Sequence, residues 1–151
     1  LKFLRPLETS IITNRQEYDH AVKYGFHPFI DSAFEMDIQT RYYLQKEIFK
    51  TSKSLRNCDI KFYKYCWEVL DHYCQETGWW LKSYSAVYVS HILSRGAYPE
   101  MRWDIRNINI LNFESHRLWE FGTIEQKEKM KIYPKNIEII NLLKEEYLEL
   151  K

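Results

Sequence analysis

Glycine and proline are scarce, four of each in 151 residues, which argues against long disordered linkers. No apolar run approaches the roughly 20 residues that a membrane span requires, and no secretory leader is visible. Internal repeats and low-complexity runs are missing as well. Cysteine is limited to three residues, at positions 58, 66 and 74. All three fall in one predicted helix, where they do not pair easily with one another, so a reducing compartment is expected. The net charge of +1 by itself predicts no polyanionic partner.

What is present is apolar and aromatic. A hydrophobic content of 45% and an aromatic content of 17% suffice for one domain with its own core. Charge is unevenly spread. Between Arg41 and Trp67, seven bases (Arg41, Lys46, Lys50, Lys53, Arg56, Lys61 and Lys64) stand against two acids, Glu47 and Asp59. That stretch is either a phosphate-binding flank, with Lys61 and Lys64 as nucleic-acid contacts, or a solvated helix face.

Residues 1–12 read as an extended lead-in. Thr13 or Asn14 would cap a short helix through Tyr24, stopped by Gly25, and His27–Pro28 marks a turn. Ser32–Ala33–Phe34–Glu35 has the form of a capping box. It opens a predicted helix over about 32–52, with Phe34, Ile38, Tyr42, Gln45 and Phe49 on one side. A polar connection over 51–57 leads to a third helix, capped by Asn57 or Asp59 and ending near Glu76, ahead of Gly78. Its stripe holds Ile60, Tyr63, Trp67, Leu70 and Tyr73 or Cys74. After a charged stretch at 125–131, an amphipathic helix is expected over 135–150. His20, His27 and His72 lack a partner at ligand spacing and read as structural.

The most informative stretch is 84–122. Tyr84–Ser90 is an alternating apolar run that reads as a strand, closed by His91. Asn107 ends a polar, turn-like segment from Trp103. Ile108–Leu111 is a short apolar strand, and Glu114–Phe121 is helix-like, stopped by Gly122. The order strand, long loop, strand, helix brings His91 and His116 onto one small surface. A neutral imidazole suits a general base near pH 7. His116 and Glu120 lie four apart on a helix and share a face, a two-point ligand for a divalent ion. The Asn107 amide is able to tie two backbone segments. Arg95 suits a phosphate clamp, with Arg102 and Arg106 as further candidates.

Ser90–His91–Ile92, Ser94–Arg95–Gly96, Asp104–Leu111, His116 and Glu120 together resemble the HNH endonucleases, the ββα-metal nucleases. The nearer likeness is to phage NinG-like recombination nucleases and their relatives on bacterial mobile elements. It covers about 58–150, most strongly 84–122. The resemblance implies an α+β fold: N-terminal helices over 1–57, then a nuclease domain over 58–151 with a ββα-metal hairpin-helix motif and C-terminal helices, in one compact unit. It implies a divalent-metal-dependent DNA endonuclease of recombination type, acting on linear or branched DNA in the cytoplasm of a bacterial or phage-infected cell. No membrane partner is expected, and pairing of two chains is an option for the N-terminal part.

By the same resemblance His91 is the base, Asn107 braces the loop, and His116 and Glu120 hold one Mg, Mn, Ni or Zn ion. Ser90 stands where many relatives place a metal-binding Asp or His, and is a poorer ligand. NinG-like relatives also carry two Cys-x-x-Cys pairs for a structural zinc. Here those positions read Cys74–Gln75–Glu76–Thr77 and Asn112–Phe113–Glu114–Ser115. One thiolate does not hold a tetrahedral zinc, so no structural zinc is expected, and Trp79, Trp80, Phe113 and Trp119 are expected to pack in its place. The remaining aromatics read mainly as core, although an exposed one would suit stacking on an unpaired base. Two other readings compete: a nucleic-acid-binding protein that keeps the scaffold without turnover, and a protein-interaction module with structural histidines.

Overall fold

A computed structural model describes residues 37–150. The expected lead-in over 1–12, the helix to Tyr24, the His27–Pro28 turn, and the Ser32–Glu35 capping box lie outside the described residues. Helices surround one small two-stranded antiparallel sheet, an α+β arrangement.

Helix α1, Ile38–Phe49, begins later than residue 32 because Asp37 caps it, its carboxylate accepting from the Thr40 N–H at 2.8 Å. Helix α2, Leu55–Val69, is capped by Ser54 rather than by Asn57 or Asp59, the Ser54 hydroxyl accepting from the Asn57 N–H at 3.3 Å. It also stops at Val69, well before Glu76. The apolar spacing at Tyr73 and Cys74 mimics a helical stripe, but a tight turn takes over there. Cys74 N–H donates to the Trp79 carbonyl at 2.8 Å and Gly78 N–H to the Cys74 carbonyl at 2.7 Å. Gly78 closes the turn at φ +80°, a conformation that costs glycine little.

The 84–90 run is only partly strand. Ser85 accepts from the Val87 N–H at 3.3 Å and starts a 3-10 turn, Ala86–Tyr88. Strand β1 is Val89–His91 and β2 is Ile108–Ile110, paired Val89 to Ile110, Ser90 to Asn109 and His91 to Ile108. Helix α3, Phe113–Phe121, follows directly, capped by Asn112. It ends at Gly122, where any Cβ would meet the Leu118 carbonyl. The charged stretch beyond it holds α4, Ile124–Glu128, opened by a Thr123/Gln126 capping box. Helix α5 is Tyr133–Tyr147, and a 3-10 turn, Leu148–Leu150, replaces its expected last turn.

Cys58, Phe62, Cys66 and Val69 of α2 pack against Leu44, Ile48 and Phe49 of α1 and against Val89, Ile108 and Ile110 of the hairpin. Residue 57 lies within α2, so this core runs unbroken across that position. A second cluster, with Ile92, Leu111, Trp119, Met130 and Ile132, fastens α3 and the start of α5 to the hairpin. Each such side chain contributes about 1.5–3 kcal/mol by leaving water. Trp119 belongs to that cluster, but Trp79, Trp80 and Phe113 are 74%, 68% and 57% exposed. The expected aromatic replacement core is thus corrected to Trp119 alone. Backbone hydrogen bonds and a 3.7 Å contact from Cys74 Sγ to Ser115 Oγ close the turn instead. No helix among the described residues is long and apolar enough to cross a membrane.

Candidate active site

A cleft of about 310 Å³ opens beside the hairpin, lined by Tyr63, Val87, His91, Arg95, His116 and Glu120 among others. Four elements meet there: α2, the Ala86–Tyr88 turn with β1, the loop after β1, and α3. The two histidines thus converge from a strand end and a helix, with Asn107 sixteen residues after His91 and nine before His116.

His91 is half-buried in the cleft wall, its ring set edge-on to Tyr63 with centroids 6.0 Å apart. Its Nε2–H donates to the Arg102 carbonyl at 2.9 Å. A carbonyl only accepts, so this nitrogen carries the proton, and in the neutral ring Nδ1 keeps its lone pair. Among the described residues Nδ1 has no hydrogen-bond partner, and it is not one of the sealed unpaired atoms. Burial drives the His91 pKa down from 6.5 to about 4, against the opposing pull of the Arg102 carbonyl. The ring is therefore neutral at physiological pH.

His116 is fixed by the opposite nitrogen. Its Nδ1–H donates to the Val87 carbonyl at 2.6 Å, and Nε2 lies 3.3 Å from Glu120 Oε2. In the neutral ring this sets a lone pair against a carboxylate oxygen, an arrangement that a cation relieves. Two donor atoms roughly 2.0–2.2 Å from one ion, at angles of 90–110°, sit roughly 3–3.5 Å apart. The pair fits a divalent ion. Among the described residues no group of three or more His, Cys, Asp or Glu side chains gathers at metal-ligand spacing, so these two side chains would hold an ion alone.

Asn107 is fully buried and ties the loop back onto itself. Its Oδ1 accepts from the Leu93 N–H at 2.8 Å, and its Nδ2 donates to the Leu93 and Met101 carbonyls at 3.0 and 3.3 Å. Asp59 pins the same loop from the α2 side. It accepts from Arg95 at 2.8 Å, from Arg102 at 3.2 and 2.8 Å, and from the Trp103 indole at 2.9 Å. Burial raises the Asp59 pKa, but the hydrogen bonds from Arg102 and Trp103 outweigh it and the net shift is downward. Because the Arg102 carbonyl receives His91, Asp59 positions the candidate base through one intermediate residue.

The other residues singled out in the sequence are scattered. Arg95 lines the cleft with its side chain 47% exposed. Arg102 is spent on Asp59, and Arg106 on Asp104 and Glu146, at 2.8 and 2.9 Å. Lys61 donates to the Ile48 carbonyl at 2.8 Å, which fastens α2 to the end of α1, while Lys64 is exposed. Ser90 is not brought into the cleft: strand alternation turns it away from the His91 side, and its hydroxyl is sealed and unpaired.

Two cleft features escape a reading of the sequence. Asp59 looked like a helix cap; its one signal was being one of two acids inside a basic run. Tyr63 looked like core, yet it faces the cleft, and burial raises its pKa to about 12. No family model, curated protein or solved structure matches this chain.

Proposed function

We propose that the protein is a divalent-metal-dependent DNA endonuclease of the ββα-metal (HNH) type. The observation that carries this reading is the sharing of one cleft by an open Nδ1 on neutral His91 and the His116–Glu120 pair. His91 would take a proton from the attacking water at Nδ1, with the Arg102 carbonyl holding the ring and steadying the imidazolium formed. Asn107 and Asp59 keep the loop from shifting during that transfer. Arg95 would reach a phosphate oxygen with the part of its guanidinium that Asp59 leaves free. An ion on His116 and Glu120 would supply charge stabilisation for the phosphate and the leaving oxygen.

A supercoiled-plasmid nicking assay with Mg, Mn, Ni or chelator tests this. The wild type is expected to nick only with metal, and His91→Ala to lose about 10²–10⁴-fold in rate while keeping its circular dichroism spectrum. Equal nicking by His91→Ala, or nicking undiminished by chelator, would refute the mechanism. The burial of Ser90, which leaves two protein ligands, favours one second reading: a DNA-binding scaffold without turnover. That reading gains support if DNA is retained on a gel but never cut.

A further inference from the structure

One cleft residue has no task in the chemistry above. Tyr63 faces the cleft from α2. Its ring is held, packed on His91 and Phe62 with centroids 6.0 and 6.3 Å away. Its hydroxyl is not. Among the described residues it has no hydrogen-bond partner, and it is not one of the sealed unpaired atoms. A phenol oxygen both donates and accepts. One that uses neither capacity inside the protein is available to whatever enters the cleft.

The helix period brings a charge beside it. Asp59 and Tyr63 lie four apart on α2 and share a face. Asp59 accepts from Arg95 at 2.8 Å, which draws the guanidinium over that same face. Only one Arg95 nitrogen is used in this way, and the side chain stays half outside. Burial raises the Tyr63 pKa to about 12, and the Arg95 guanidinium is the strongest charge opposing that rise. The phenol therefore keeps its proton. A cation fixed at one nitrogen and a neutral donor fixed by its ring stand together in the cleft that His91, His116 and Glu120 also line. A phosphodiester presents two non-bridging oxygens, and two donors of this kind match them.

We infer that Tyr63 touches the substrate: its hydroxyl donates to one non-bridging oxygen of a phosphodiester while Arg95 holds the other. The inference rests on the nuclease reading for making this phosphate the scissile one. The two-donor seat itself requires only a phosphodiester in the cleft. A Tyr63 that served merely as a wall for the His91 ring would need the ring and not the oxygen.

Tyr63→Phe removes the oxygen and keeps the ring, and Tyr63→Leu removes both. The full chain is assayed for plasmid nicking with metal, and for binding of a fluorescent DNA duplex in chelator at several salt concentrations. Tyr63→Phe is expected to lower nicking and affinity about tenfold each, with its melting temperature unchanged. Because the phenol is uncharged, the slope of affinity against salt should stay at the wild-type value in Tyr63→Phe, whereas Arg95→Ala reduces it. Donors to one phosphate are coupled, so the double variant of Tyr63→Phe and Arg95→Ala should lose less affinity than the product of the two single losses. Losses confined to Tyr63→Leu would assign the residue to the wall and overturn the inference. So would a Tyr63→Phe loss that comes with a lowered melting temperature, or single losses that simply multiply. A chain that binds duplex with this coupling but never cuts refutes the nuclease reading alone. One that cuts with metal, and cuts as fast after Tyr63→Phe, refutes this inference alone.

Discussion

Two buried aspartates organise opposite sides of the long loop, and each holds two arginines. Asp59, 5% exposed, takes Arg95 and Arg102; Asp104, fully buried, takes Arg106 and Arg41. Around Asp104 the enclosure is complete. Tyr147 of α5 donates to it at 2.9 Å, and Glu146 shares Arg106. Around Asp59 one arginine stays half outside, in the cleft. Similar ion pairs thus do different work, and water decides which. A sealed guanidinium locks helices to a loop, whereas a half-solvated one has donors left for a phosphate.

The largest expected effect is on the sealed side. Asp104→Ala leaves Arg106 and Arg41 buried near each other and should cost about 3–5 kcal/mol in urea unfolding. A loss under about 1 kcal/mol would mean that the cluster is not a lock. Burial opposes ionisation of Asp104, but Arg106 and then Arg41 hold its pKa at about 2, below its ordinary 3.8. Its stabilisation is therefore present above about pH 4 and lost as the pH falls toward 2. Asp104→Asn should flatten the stability profile across that window.

Asp59→Asn should cost less, about 1–3 kcal/mol, because Arg95 and part of Arg102 reach water. It should nevertheless lower DNA nicking, with the loss concentrated in kcat, since the Arg102 carbonyl no longer holds His91 as firmly. Nicking at the wild-type rate would remove Asp59 from the positioning role.

His91 links stability and activity to pH. Its pKa falls from 6.5 unfolded to about 4 folded, so the unfolded chain binds the extra proton first. Stability from this group is complete above about pH 6.5 and declines as the pH drops toward 4. His91→Gln should remove that part of the slope in thermal melts. Nicking by the wild type should show its acidic fall-off near pH 4–5; a fall-off centred at 6.5 would contradict the buried, neutral ring.

The smallest effect separates the exposed arginine from the enclosed one. Arg95→Ala should change stability by no more than about 0.5 kcal/mol and reduce the salt slope of DNA binding by about one phosphate contact. Arg106→Ala should do the reverse, losing stability with the slope intact.

Local signals carried much of this architecture. The apolar stripe of α1, the stop at Gly122, the short strand at 108–110, and the four-residue spacing of His116 and Glu120 are written in neighbouring residues. The periods and caps that shape them act over one or two turns. The stripe read for α2 is corrected: its buried face is Cys58, Phe62, Cys66 and Val69, while Ile60 and Tyr73 are exposed, because the helix turns its cysteine side to α1 and the hairpin. The errors came where a local pattern was ambiguous. Tyr73 and Cys74 continue a helical spacing but sit in a Gly78 turn, and Tyr84–Ser90 alternates like a strand but half of it coils into a 3-10 turn. Trp79, Trp80 and Phe113 have core chemistry and surface positions, because burial belongs to the whole packing and not to a residue type.

What the sequence determined by itself was most of the short-range elements and the residue types on offer for chemistry. Only the tertiary structure decided which charges are consumed and which stay free. Asp59 meets Arg95 and Arg102 across separations of 36 and 43 residues, and no spacing rule reaches that far. The enclosure of Arg106 and the opening at Arg95 follow from how α2 and α5 close over one loop, because the worth of a charge depends on the water left around it.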